Sequence, residues 1–180
     1  MMKFQRYGIE MEALQPKHLE MVRLWRNNEM VRLKMQYQEI ISQEAQHSWF
    51  NTIDNALNHY FIAYHNNTAF GLFHIKNISL HDNKGEAGAF VADEKYLGHA
   101  NAALAILALM DFAFFELKLD TLEAKYHPSF KEIKALNEQL GYEKITDETD
   151  GFIRAEVSRE RYLERTGRLR AQFKTTTHIS

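Results

Sequence analysis

From Tyr7 to Leu14 the apolar residues Ile9, Met11 and Ala13 alternate with Glu10 and Glu12, a period of two that predicts a half-buried strand. Gln15-Pro16 ends it. The period then lengthens. Leu19, Val22, Leu24 and Trp25 stand at helical spacing in Lys17 to Asn27, and a second short helix is expected over Glu29 to Gln36. Ser42 is a plausible N-cap for a third helix, Gln43 to Asn55, with Trp49, Phe50 and Ile53 on one face. The middle of the chain returns to strands: His59 to Tyr64, Ala69 to Ile75 and Glu86 to Ala92, separated by turn signals at Asn66-Asn67 and at His81 to Gly85. Gly88 between Ala87 and Ala89 suggests a bulge or a close backbone approach.

The apolar run Ala102 to Phe115, broken only by Asp111, predicts a buried helix reaching about Leu117. It is shorter than the roughly 20 residues a membrane span needs. Leu122 to Tyr126 reads as a strand and Phe130 to Leu140 as a helix stopped by Gly141. Tyr142 to Ile145 and Phe152 to Val157 read as a closing hairpin. Consecutive strands followed by strand-helix-strand units imply an α/β (α+β) class, with helices packed on a mixed sheet of about seven strands.

Composition narrows the chemistry. The length of 180 residues suits one domain. The formal net charge of −2 gives no global argument for nucleic acid or an anionic membrane as partner. Absence of cysteine excludes a disulfide framework, a thiolate metal site and a Cys nucleophile. With no apolar run behind Lys3 and Arg6, no signal peptide is visible, and a cytoplasmic location is expected. The nine histidines form no ligand-spaced cluster, so no metal is expected. Residues 159–180 form a basic segment: six Lys or Arg against Glu160 and Glu164 between Arg159 and Lys174. A solvated terminal helix is the expectation there, contact with acidic partners the alternative.

One loop stands out. Lys95-Tyr96-Leu97-Gly98-His99-Ala100 precedes the apolar helix, with Asn101 and Ala102 in its first turn. Amides at a helix start are unpaired and attract phosphate, and Gly98 lets the backbone turn toward an anion. On these residues alone, tight packing is the commoner reading of one glycine before an Ala-rich helix.

The loop resembles the Gln/Arg-x-x-Gly-x-Gly/Ala motif of the GNAT acetyltransferase superfamily, with Lys95 in first place. Gly85 to Val91 is similar to the family strand that carries a bulge and pairs with the pantetheine arm of CoA. Asp111 to Leu122 and Leu136 to Tyr142 resemble its later elements. The resemblance covers residues 7–158, read as the GNAT domain 1–158 followed by the basic segment. It implies acetyl-CoA as co-substrate, held by Ala89, Phe90, Val91, Lys95, Leu97, Gly98, His99, Ala100, Asn101 and Ala102. Phe130 or Ser129 stands where the family has a CoA-contacting Asn.

Trp25-Arg26-Asn27, Val31-Arg32, Met35, Ile41-Ser42, His47 and Trp49-Phe50 follow an order similar to GNAT enzymes that acetylate nucleotide-linked amino sugars, the pseudaminic acid pathway among them. The ribosomal-protein N-acetyltransferase branch is also similar. The resemblance implies a small-molecule amine as partner, with Arg26 and Met35 near a nucleotide-sugar pocket and Tyr37 or Trp49 stacked on base or sugar. For Trp25 and Trp49, core packing is the alternative. An N-terminal protein or small-amine acetyltransferase, or a GNAT domain that binds acyl-CoA without turnover, are the other readings. A monomer or homodimer is expected.

Acetyl transfer to an amine needs a proton acceptor, positioning, and a donor for the developing oxyanion. Glu86, just before the expected bulge, is the candidate base, and an amide of 88–90 the candidate donor. Many family members protonate the leaving thiolate with a Tyr that corresponds to Asn137 here; Tyr126 and His127 are the candidate substitutes.

Overall fold

The computed structural model describes residues 2–53, 55–146, 151–173 and 178–179. The first predicted strand is β2 (Ile9–Ala13), and a short β1 (Lys3–Arg6) lies antiparallel to it. Ile9 and Met11 are fully buried, as the alternation requires. Glu12, expected on the solvent side, is buried too. Residues Pro16–His18 form a 3-10 turn that folds back on it, placing Lys17 Nζ 2.5 Å and His18 Nε2 3.6 Å from the Glu12 carboxylate.

Three helices follow: α1 (Leu19–Asn27), α2 (Glu29–Arg32) and α3 (Gln43–Ile53). Helix α2 is shorter than expected: past Leu33 the chain tightens into turns, Lys34 N–H to the Val31 carbonyl and Met35 N–H to the Arg32 carbonyl, and the Gln38 side-chain amide donates to the Leu33 carbonyl at 3.2 Å. Asn27 donates to and accepts from the Ile41 backbone at 2.9 and 2.8 Å, pinning the chain between α2 and α3 to α1. Ser42 Oγ accepts the Ala45 N–H at 3.1 Å, the cap the sequence predicts.

Strands β3 (His59–His65), β4 (Thr68–Ser79) and β5 (Lys84–Val91) form an antiparallel meander. The chain then enters α4 (Ala100–Asp111), which widens into a π-helical turn at Phe112–Glu116, and returns through β6 (Thr121–Tyr126), parallel to β5. Helix α5 (Lys131–Leu140) ends at Gly141, whose φ of 98° is the left-handed cap expected of it. Strands β7 (Glu143–Thr146) and β8 (Ile153–Ser158) pair antiparallel. Helix α6 (Arg159–Gln172) and a two-residue β9 (His178–Ile179) beside β1 complete the described chain.

The sheet order is β7-β8-β6-β5-β4-β3-β2-β1-β9. It has eight strands of four residues or more plus the two-residue β9, where about seven were expected. The extra members are β1 and β9, too short to leave a periodic signal. Helices α1–α3 cover one face, where Val22, Ile62 and Leu72 pack with Trp25, Tyr60 and Phe90. Helix α4 covers the other with Ala105, Leu107, Ala108, Leu109 and Met110 against Ile9, Met11, Phe73 and Ile75.

The terminal segment is a helix, as expected, but it is not simply solvated. Tyr162 is fully buried, and its hydroxyl donates to Asp111 Oδ1 at 2.8 Å. Tyr7 hydrogen-bonds the other oxygen of Asp111, and Arg170 Nε lies 3.0 Å from Oδ1. Arg170 also covers the Phe115 ring, its guanidinium carbon 4.7 Å from the centroid. The charge-rich sequence of α6 hides a buried stripe, Tyr162 and Thr166, one helical turn apart.

Candidate active site

The sheet opens between β5 and β6. β5 and β6 run parallel in register from Lys84↔Thr121 to Ala87↔Ala124, and the pairing stops there. Beyond it β5 continues to Val91 on β4 alone, and β6 continues to Tyr126 on β8 alone. The Ala92 N–H donates to the Phe70 carbonyl at 2.8 Å. By the alternation of an antiparallel ladder, the backbones of Gly88 and Phe90 also turn to β4, leaving those of Ala89 and Val91 facing the gap. Two N–H and two C=O groups therefore line one wall of an opening beside β6.

The bulge expected at 88–90 is not there. Register from Ala87 to Val91 is continuous, and the irregularity lies at Asn77-Ile78 of β4, opposite Gly85. Asn77 takes a φ of 52°, and its N–H is held by Asn58 Oδ1 at 3.1 Å. Gly88 has a different purpose. A Cβ there would lie 2.5 Å from His74 Nε2, so the glycine makes room for that ring.

The loop from β5 to α4 delivers free amides to the same end of the sheet. Asp93 caps a 3-10 turn at Glu94–Tyr96, accepting from the Lys95 N–H at 3.0 Å, and Tyr96 stacks on Phe70 with centroids 4.6 Å apart. Gly98 has a φ of 68°, and the direction in which a side chain would project is open. The amides of Leu97, His99 and Ala102 are used within the loop. Those of Gly98, Ala100 and Asn101 have no partner among the described residues, and His99 supplies no side-chain cap. They stand at the positive end of a 12-residue helix, a natural cradle for an anion. Lys95 is exposed and paired with Asp93 at 3.2 Å.

The α1–α3 face carries the remaining candidates. Arg26 lies over the Phe90 ring at 5.8 Å and donates to the Tyr37 carbonyl at 3.3 Å; burial lowers its pKa. Trp25 meets Phe90 edge-on at 6.4 Å, and Trp49 meets Tyr60 edge-on at 5.3 Å. Met35 is half-buried, while the Tyr37 side chain is exposed. Glu86 sits on this face with Lys76 Nζ at 3.0 Å and Asn77 Nδ2 at 3.2 Å. Burial, followed by the charge of Glu86, pushes the Tyr60 hydroxyl up to about 12.

Tyr126 and Asn137 do come together, in a cavity of 290 Å³ with Tyr142, Lys134, Ile153 and Ala155. No β5 residue lines it, so these two side chains meet over β6 and β8 rather than in the β5–β6 gap. His127 faces Ser129 instead, Nδ1 to Oγ at 2.7 Å, and packs near Phe130 with centroids 5.6 Å apart. Sequence reasoning missed His74. Only the cross-strand register Tyr60↔His74↔Gly88 reveals it.

Residues 9–143 match the family model described as Acetyltransferase (GNAT) domain. No curated protein matches the chain. Among solved structures, it is similar to a spermidine N-acetyltransferase from Vibrio cholerae in complex with CoA and spermine, with TM-score 0.76 and 17% identity over 87% of this chain and 98% of that one. A dodecameric structure of the Vibrio cholerae spermidine N-acetyltransferase in an intermediate state gives TM-score 0.73 and 18% identity, covering 88% and 98% of the two chains. A domain from Methanocaldococcus jannaschii gives TM-score 0.73 and 17% identity, covering 86% and 99%.

Proposed function

The chain belongs to the GNAT acetyltransferase family and is an acetyl-CoA-dependent N-acetyltransferase, and from that premise we propose that its acceptor is the primary amine of a small molecule. The observation that carries the reading is the β5–β6 gap ending beside the free amides of α4. Acetyl-CoA supplies an acetyl group activated as a thioester. The amides of Gly98, Ala100 and Asn101 would hold its pyrophosphate, and the backbone edges of Ala89 and Val91 its extended arm. The Ala89 N–H, facing the gap, is the candidate oxyanion donor. The similarity to enzymes named for spermidine supports the small-amine class.

Glu86 keeps its place as candidate proton acceptor on the acceptor face. Glu86→Gln is expected to lower kcat and to remove the acid limb of its pH profile; an unchanged rate and profile would rule the role out.

A nucleotide-linked amino sugar is a second reading, favoured by Arg26. Its guanidinium, stacked on Phe90 beside Trp25, suits a diphosphate and an aromatic base better than a second ammonium group. The test is a CoA-release assay on a panel of polyamines, simple alkylamines and UDP- or dTDP-linked amino sugars. Turnover of one of the first two classes supports the main reading. Turnover confined to the nucleotide-linked amines selects the second. No release with any amine contradicts both.

A further inference from the structure

Three rows of side chains cross β3, β4 and β5 on the α1–α3 face. Ile62, Leu72 and Phe90 form an apolar row. Lys76 and Glu86 form an ionic row. Between them lies Tyr60, His74 and Gly88, a row whose last member has no side chain. Gly88 is also the first β5 residue past Ala87, where pairing to β6 ends. The bare position therefore sits at the mouth of the gap.

The His74 ring stacks against Tyr60, with centroids 4.9 Å apart and planes tilted by 31°, and it leans across β5. The nearest atoms to a Cβ built on Gly88 would be Nε2 at 2.5 Å and Cε1 at 2.7 Å. The ring thus points its Nε2 edge from β4 over β5, toward the opening. His74 is half-buried, and its ring nitrogens, which have no hydrogen-bond partner among the described residues, are not among the atoms sealed from solvent. An unpaired imidazole nitrogen open at the mouth of a gap is free to accept a hydrogen bond from a ligand that enters there.

Resting on the reading of the chain as a small-amine acetyltransferase, we propose that His74 contacts the acceptor amine, accepting a hydrogen bond from it at Nε2 over Gly88. The amine approaches over the bare Gly88 position and is aimed at the gap. His74 is a neutral acceptor across the working pH range, because burial, with the charges of Lys76 and Arg26, pushes its pKa down to about 3. When the amine nitrogen bonds to the acyl carbon, the C–S bond breaks. The nitrogen's surplus proton leaves to Glu86 or water, and the thiolate takes one from solvent. His74 orients the lone pair and holds no proton at the end.

The test uses the full chain, butylamine as the minimal primary amine, and the variants His74→Ala and His74→Gln. Expected for His74→Ala is a KM for butylamine raised about tenfold, the size of one good hydrogen bond. Its acetyl-CoA Kd by calorimetry stays within about twofold of wild type, and His74→Gln recovers part of the loss by keeping an acceptor. In the CoA-bound wild type, butylamine should move the His74 Nε2 resonance. An unmoved resonance, or a KM within about twofold of wild type in His74→Ala, overturns the inference. So does a parallel loss of acetyl-CoA affinity, which would mark a merely structural residue. Failure of the wild type to acetylate any amine overturns the reading beneath it, while the resonance still decides whether His74 meets an amine.

Discussion

The two ends of α4 are built on opposite principles. At the N-terminus three amides lack partners among the described residues, His99 supplies no side-chain cap, and Gly98 leaves open space in front. At the C-terminus the Asp111 carboxylate, 1% exposed, is saturated by Tyr7, Tyr162 and Arg170. A carboxylate at the negative end of a helix is unfavourable by itself. Here it is compensated by a cation and two hydroxyls drawn from the β1–β2 turn and from α6. One end is complete without a ligand and the other is not. Stability and function are thereby separated along a single apolar helix.

The largest effect is expected at the closed end. Asp111→Ala leaves Arg170 without its counter-ion and the Tyr7 hydroxyl without its acceptor, with Tyr162 keeping only the longer contact to the Leu107 carbonyl at 3.3 Å, a loss of about 3–5 kcal/mol. Urea denaturation followed by circular dichroism measures it. A loss below about 1 kcal/mol would show that the two ends are not so different. Tyr162→Phe removes the hydrogen bond to the Asp111 carboxylate together with the longer contact to the Leu107 carbonyl, and should cost about 1.5–3 kcal/mol by the same measurement.

At the open end the expected effects are functional and smaller. Gly98→Ala meets no neighbour but places a Cβ at a φ of 68°. The strain of about 1–2 kcal/mol should appear as a five- to thirty-fold weaker acetyl-CoA Kd, with little change in the denaturation midpoint. Unchanged affinity would mean that the loop does not need this turn to bind.

Stability should also fall as pH drops below about 6.5. Burial lowers the pKa of His18, His59 and His74 in the folded state. Between the folded and unfolded values the unfolded chain binds more protons, so acid favours unfolding. A thermal-denaturation series from pH 8 to pH 5 checks this, and His74→Gln should flatten the slope. The smallest effect belongs to Lys95→Ala, because the exposed pair with Asp93 is worth at most about 0.5 kcal/mol.

Much of this contrast was legible in the sequence, but only its local half. Gly98 before an Ala-rich helix announces the open end, since a helix start and a left-handed turn are properties of adjacent residues. The closed end is invisible there. Asp111 looks like an interruption of an apolar run, and Tyr162 sits in a helix dominated by charge. Their meeting depends on how α4, α6 and the β1–β2 turn pack. The same distinction explains the site. Ala89 and Val91 are implied by the resemblance of their strand to the family's, whereas His74 emerges only once β4 is registered on β5. A glycine in a strand signals a bulge or a close approach, and for Gly88 the neighbouring strand decides between them. The irregularity at Asn77-Ile78 gave no such cue.

The most direct measurement is a titration of the isotope-labelled protein with CoA, followed by amide resonances. The account predicts that the Gly98, Ala100 and Asn101 amides show the largest downfield shifts, with Ala89 and Val91 next. Saturation by CoA with those three amides unmoved, and the strongest shifts elsewhere in the chain, would contradict it.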